Sequence, residues 1–188
     1  MTARLTTENN LNQPSPAFPF MTLLISGGHT LLLTCNNIGD YNQLGTTLDN
    51  AVGEAIDKTA RLLNLEWMKG RRGGPGAALE RAALQGDPER FLSRLPKPML
   101  QRNKSVIGFS FSGLKTAVAR LIETEKLVDL GNPQDVSDMA AAFQVACIRH
   151  LEQKITLALE QEVVELKKPL TALVVSGGVA SNTLFRSR

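Results

Sequence analysis

The chain has 188 residues, of which 43% are hydrophobic and 21% charged, and its net charge is +3. These values are ordinary for a globular protein and allow one domain with a sizeable core. No apolar run approaches the length of a transmembrane helix, so no membrane partner is expected. The positive charge is compatible with a nucleic-acid partner. Two cysteines and two histidines stand far apart, which argues against a zinc hydrolase site and favours a reducing compartment.

The first third of the chain predicts a flexible start followed by three strands. Residues 1–17 are polar and contain Pro14 and Pro16, which predicts a flexible N-terminal segment. Apolar runs separated by turn residues then predict an antiparallel meander, with strands at 18–25, 30–35 and 41–46.

A helix is predicted next, with Asp49 as its N-cap and Asn64 at its end. Its polar side carries acid–base pairs four residues apart, one of which is Asp57 with Arg61. On this spacing alone, Asp57 is half of an exposed ion pair. The alternative is a carboxylate that accepts hydrogen bonds from the hydroxyls of a ligand.

Residues 66–104 predict a helical and basic insertion. Glycines prevent regular structure until Pro75 opens a short helix, which Gly86 closes. The basic residues of this segment suit either a nucleic-acid backbone or a solvated linker; they are Arg71, Arg72, Lys97, Arg102 and Lys104.

The second half alternates strands and helices. Residues 106–111 predict a fourth strand, and Ser112 is predicted to cap the helix that follows. The longest helix keeps one apolar stripe that includes Cys147, a predicted core thiol, and His150 beside it is predicted to be a packing residue. Residues 170–175 predict a fifth strand.

An apolar strand followed by Ser-Gly-Gly occurs twice, ending at Gly28 and at Gly178. One such copy is often only a tight turn. Two copies predict opposite walls of one nucleotide cleft. The second copy leads into a helix start, where backbone N–H groups favour phosphate.

The element order predicts an α/β fold, with a mixed sheet and helices on both faces. This is the order of a ribonuclease-H-like half-domain, the unit that actin-like ATPases use twice. Residues 18–188 are therefore expected to form one actin-like lobe, truncated at its C-terminal end because its last helix spans only about two turns.

Five motifs in chain order resemble those of the TsaD-type tRNA threonylcarbamoyl transferases of bacteria and mitochondria. They are LISGGHT at 24–30, GEAIDKTA at 53–60, GGP at 73–75, FSFSGLKT at 109–116 and SGGVASN at 176–182. The resemblance extends over nearly all of 18–188 and is closer to the bacterial and organellar branch than to the archaeal and cytosolic one.

The resemblance implies transfer of threonylcarbamoyl from its adenylate to the adenosine beside the anticodon of tRNAs that read codons beginning with A. It also implies threonylcarbamoyl-adenylate or ATP as nucleotide ligand and one divalent metal, iron or zinc. The implied partners are tRNA and a second copy or family partner proteins. The implied location is mitochondrial, with the bacterial cytoplasm as the alternative.

The resemblance also assigns site residues. It places Asp57 and Gly74 around the adenosine ribose and Asn182 on the adenine side, and it moves the interpretation of Asp57 from ion pair to ligand contact. No catalytic residue is assigned. The end of the first strand and its loop lie at the carbamoyl-phosphate end, namely Leu24, Ile25, Ser26, Gly27 and Gly28.

The chain departs from the family pattern at several points. The metal-binding HxxxH motif is absent, so the metal ligands are expected outside this chain and the isolated chain is expected to be inactive. Asn50 replaces a second carboxylate, and residues 66–72 are longer than usual. The alternative function is a non-catalytic nucleotide-binding or scaffold protein. A metallopeptidase is excluded, because neither HxxxH nor HExxH occurs.

Overall fold

The computed structural model describes residues 16–67, 73–97, 107–165 and 169–187. Almost all of the predicted flexible segment therefore lies outside the described residues. The same holds for four of the predicted basic residues, namely Arg71, Arg72, Arg102 and Lys104. The predicted order of elements is confirmed. These elements are β1 (Phe20–Ile25), β2 (Thr30–Asn37), β3 (Asp40–Thr47), α1 (Val52–Leu62), α2 (Pro75–Ala83), α3 (Glu89–Leu92), β4 (Ile107–Phe109), α4 (Ser112–Glu123), α5 (Pro133–Glu165), β5 (Leu173–Ser176), a 3₁₀ turn (Gly178–Ser181) and α6 (Thr183–Arg186).

The five strands form one mixed sheet in the order β4-β3-β2-β1-β5. The first three strands are antiparallel neighbours, as the meander predicted. β5 runs parallel to β1, with Leu24 opposite Ser176, and β4 runs parallel to β3. The carboxyl ends of β1 and β5 therefore lie side by side, and the two Ser-Gly-Gly loops begin at the same edge of the sheet.

One face of the sheet carries the core. Met21, Leu23 and Ile25 alternate along β1 and are almost fully buried, in one apolar cluster with residues from α1, α4 and α5. The other face is half-buried and lies outside this cluster; it includes Phe20, Leu24, Leu31 and Leu33. The sequence predicted helices on both faces, whereas the helices of the described residues share the core of this single face.

The predicted caps of α1 and α4 are wrong. Ala51 occupies the N-cap position of α1 and Phe111 that of α4, and neither helix has a side-chain cap of its own. Instead, the Asp49 carboxylate reaches the start of α4, where it accepts hydrogen bonds from the Phe111 N–H (3.0 Å) and from the hydroxyls of Ser110 (2.5 Å) and Ser112 (2.6 Å). Burial opposes ionisation, but these bonds outweigh it and lower the pKa of Asp49 to about 2. Asp49 thus ties the β3–α1 turn to the β4–α4 turn.

Helix α5 contacts β4 and the four helices before it, and two interpretations of its residues are confirmed. Cys147 is fully buried, and burial raises the pKa of its thiol. His150 packs edge-on against Phe111 and accepts the Ser110 N–H at Nε2 (3.1 Å). In the described part of the chain, no helix combines the length and the apolar character that crossing a membrane requires.

The inserted helices α2 and α3 are fixed onto the start of α5. The Arg90 guanidinium bridges the carboxylates of Asp135 (2.7 Å) and Asp138 (2.9 Å). Helix α2 ends at Ala83 rather than at Gly86, and a side chain at Gly86 would collide with the backbone of α5. Helices α2 and α3 are therefore packed against the core, which fixes the position of α2.

Candidate functional site

The first Ser-Gly-Gly loop is stabilised by its own serine. The Ser26 hydroxyl accepts hydrogen bonds from the N–H groups of Gly28 (3.3 Å) and His29 (3.0 Å), so this side chain serves the turn itself. Leu24 and Ile25 belong to β1, where Ile25 is buried in the core. The part of the loop that remains open is its glycine backbone, since a Cβ on Gly27 or Gly28 would meet nothing within 4 Å.

Helix α1 begins directly against this loop. The Gly53 N–H donates to the Ser26 carbonyl (3.2 Å), and the Val52 N–H donates to the Thr30 hydroxyl (2.9 Å). A Cβ on Gly53 would lie 2.5 Å from the Ser26 oxygen, so the approach requires glycine. The position of the loop is therefore set by the start of α1.

The second loop lies against the end of β1. Gly177 has φ +109°, and a side chain there would collide with the Ile25 carbonyl. The following turn ends at Asn182, whose Oδ1 accepts the N–H groups of Leu184 (3.0 Å) and Phe185 (3.2 Å) and whose amide donates to Gln144 Oε1 (3.2 Å). These side-chain caps belong to α6, together with Glu80, which accepts the Thr183 N–H. The 3₁₀ turn that directly follows Gly177 has no side-chain cap, so a phosphate position at this start stays a prediction.

The two loops enclose a cleft of about 220 Å³. Gly27 from the first loop and Gly178 from the second lie on its wall, together with Asp57 and Asn182. Of the site residues that the sequence predicted, the cleft brings together Gly27, Asp57 and Asn182. Leu24, Ile25, Ser26, Gly28 and Gly74 are not on its lining.

Asp57 is the one carboxylate of α1 on the cleft wall. Burial raises the pKa of Asp57, although the Arg61 charge and a hydrogen bond from the Gly76 N–H both act to lower it. Gly76 lines the cleft beside Asp57, whereas Gly74 is the N-cap of α2. Sequence reasoning chose the glycine before Pro75, and the structure places the glycine after it at the cleft.

Glu80 also lines the cleft, and sequence reasoning missed it. Its Oε1 accepts hydrogen bonds from the N–H (2.7 Å) and the hydroxyl (2.6 Å) of Thr183, which links α2 to α6. The sequence signal that could have predicted Glu80 at the cleft is its position one helical turn after Gly76. Glu80 therefore connects the wall that carries Asp57 to the wall that carries Asn182.

The described residues do not fit a bound metal. They contain no group of three or more His, Cys, Asp or Glu side chains that could hold an ion.

Lys97, the one member of the predicted basic set that the structure describes, is exposed.

Comparison with known proteins places the chain in a family. A family model described as tRNA N6-adenosine threonylcarbamoyltransferase, TsaD, matches residues 2–188. Proteins with that name from Brucella anthropi and Methylorubrum populi are 49% and 48% identical to the chain, in alignments that cover 90% of it. The chain spans only 44% and 45% of their lengths. These relatives are bacterial, and the mitochondrial expectation finds no support among them. On its sequence, its mixed α/β sheet and the match over almost its whole length, the chain belongs to the TsaD family.

Proposed function

We propose that this chain carries part of the nucleotide site of a tRNA threonylcarbamoyl transferase. In this proposal the cleft binds the adenosine and phosphate parts of threonylcarbamoyl-adenylate, and the whole protein transfers the threonylcarbamoyl group to an adenosine of tRNA. The observation that carries the proposal is the convergence of both Ser-Gly-Gly loops and Asp57 on one cleft. The names of the relatives support the choice of reaction.

The roles follow from the chemistry of the lining. Gly27 and Gly178 offer backbone without side chains, which suits the close approach of a phosphate. Asp57 offers a partly desolvated carboxylate, which suits the hydroxyls of a ribose. Asn182 and Glu80 hold the opposite wall through the contacts described above, which fixes the width of the site. The metal that the family implies takes no part in this proposal, because the described residues do not fit it.

Two further assignments belong to the same proposal. The acceptor is tRNA, as the name of the relatives states for them, and the basic residues of the insertion are candidate contacts to its backbone. The location is the bacterial cytoplasm, which the organisms of the relatives support.

The test measures AMP and adenosine affinity of the chain by titration calorimetry. In Gly27→Ala the new methyl group meets nothing in the protein and belongs to a residue of the cleft lining, so folding is expected to be retained and AMP affinity to fall about tenfold or more. Gly113→Ala is the matched control, because this glycine of α4 is equally open and lies away from the lining of the cleft.

Equal AMP affinity in Gly27→Ala and Gly113→Ala would contradict the proposed phosphate position. Failure of the unaltered chain to bind either AMP or adenosine would contradict the nucleotide site itself and favour the scaffold alternative.

A further inference from the structure

Helix α1 carries two acid–base pairs at the same spacing, and they behave differently. Glu54 and Lys58 form an ion pair of 2.7 Å. No ion pair joins Asp57 to Arg61 among the described residues. Instead, the Arg61 guanidinium carbon lies 5.2 Å from the centre of the Trp67 ring. The i, i+4 spacing would permit an ion pair between Asp57 and Arg61. The Arg61 guanidinium instead contacts Trp67.

The end of α1 explains how Trp67 reaches Arg61. Asn64 adopts φ +52°, a left-handed conformation that asparagine tolerates better than most residues. The Asn64 N–H donates to the Arg61 carbonyl (3.0 Å), and the Leu65 N–H donates to the Ala60 carbonyl (3.0 Å). These two bonds are those of a Schellman motif, which ends a helix by reversing the chain. The reversal brings Trp67 back over the last turn of α1.

The contact between Arg61 and Trp67 bears on the cleft. A guanidinium over an indole ring is attracted by the π electrons, and at a surface this attraction is similar in size to an exposed ion pair. A guanidinium paired with Asp57 would compete with a ligand for the carboxylate oxygens. The carboxylate of Asp57 lies on the cleft wall, where its hydrogen-bond donor is the Gly76 N–H.

We propose that Trp67 is a positioning residue that holds Arg61 away from Asp57 and so keeps this carboxylate available to the hydroxyls of a ligand. The proposal rests on the proposed function, in which Asp57 binds a ribose.

The first experiment titrates adenosine into the full chain and its variants. Trp67→Leu releases Arg61 to pair with Asp57, and adenosine affinity is expected to fall about two- to fivefold. Trp67→Phe keeps an aromatic face and is expected to retain the affinity of the unaltered chain. In the Arg61→Ala background, Trp67→Leu is expected to change nothing, because the competing cation is gone. An equal loss with and without Arg61 would overturn the proposal and leave Trp67 a merely structural role.

The second experiment needs no nucleotide. The pKa of Asp57, measured by NMR titration, is expected to fall in Trp67→Leu and to stay in Trp67→Phe, because a paired guanidinium favours the charged carboxylate. An unchanged pKa in Trp67→Leu would overturn the proposal. Should Trp67→Leu fail to fold, Trp67→Gln removes the ring with a polar side chain and carries the same expectations.

The emission of Trp67 gives a direct reading of the contact, because it is the only tryptophan of the chain. Arg61→Ala is expected to shift this emission, while Lys58→Ala, which removes the other cation of the two pairs on α1, leaves it unchanged. Failure of the unaltered chain to bind adenosine would contradict the proposed function. The pKa and emission measurements would still decide whether Trp67 holds Arg61.

Discussion

Replacement of Asp57 by asparagine separates the two interpretations of this residue. Asparagine has the same size, and its amide oxygen can still accept the Gly76 N–H, so packing at the cleft wall is retained. The substitution removes the charge and turns one acceptor into a donor. Hydrogen bonds to a charged acceptor contribute about 1.5–3 kcal/mol each. Adenosine affinity is therefore expected to fall about ten- to a hundredfold.

The assay is titration calorimetry with adenosine, and Arg61→Ala is the control. Because Arg61 is stacked on Trp67, its removal is expected to leave adenosine affinity within about twofold. The pH dependence supplies a second check. Burial raises the pKa of Asp57, so affinity is expected to fall as the pH drops through this raised value and the carboxylate is protonated. Asp57→Asn should show no such dependence.

Two results would refute this reasoning. If Asp57→Asn and Arg61→Ala change adenosine affinity equally, the Asp57 carboxylate is not a ligand contact. If the adenosine affinity of the unaltered chain stays the same when the pH is lowered, the Asp57 carboxylate does not contact the ligand.

Three further predictions concern the supports of the cleft. Asp49→Asn is expected to cost about 1 kcal/mol of unfolding free energy near neutral pH, since the exposed carboxylate is partly screened by solvent. The pKa of Asp49 is about 2 in the folded chain and ordinarily 3.8. The difference in unfolding free energy between the unaltered chain and Asp49→Asn should therefore shrink as the pH falls from 4 to 2. A difference that stays constant with pH in urea unfolding would contradict this. Gly53→Ala forces a methyl group against the Ser26 carbonyl and is expected to cost about 1–3 kcal/mol in thermal unfolding, and an unchanged melting temperature would disprove the close approach. Glu80→Ala removes the acceptor of the Thr183 N–H, so hydrogen exchange at that amide should become faster; equal exchange rates would show that the contact does not persist in solution.

The strands were predictable because their signals are local. Along β1, alternation of buried and half-buried residues matches a strand with one core face. The pairing of β5 with β1 is not local, yet the repeated Ser-Gly-Gly pointed to a shared cleft, and both loops do line one.

The errors arose where a side chain serves a distant element. Asp49 stands two residues before the N-cap of α1 but stabilises α4, because Ser110 and Ser112 lie beyond the reach of any local capping rule. Gly74 and Gly76 flank Pro75, and their sequence does not say which one faces the cleft. That choice depends on the rotation of α2 against α1, which only the packed structure fixes.

The contact between His150 and Ser110 has a consequence for acid stability. Because Nε2 accepts the Ser110 N–H, the single proton of the neutral imidazole lies on Nδ1. Burial, aided by the charge of Lys154, lowers the pKa of His150 from 6.5 to about 4. Between these two pH values His150 binds a proton in the unfolded chain but stays neutral in the folded chain. This difference lowers the free energy of unfolding by up to about 3 kcal/mol at pH 4. Acid destabilisation of this fold is therefore expected to begin inside its core, at the junction of β4 and α4, at a pH above the ordinary range of surface carboxylates.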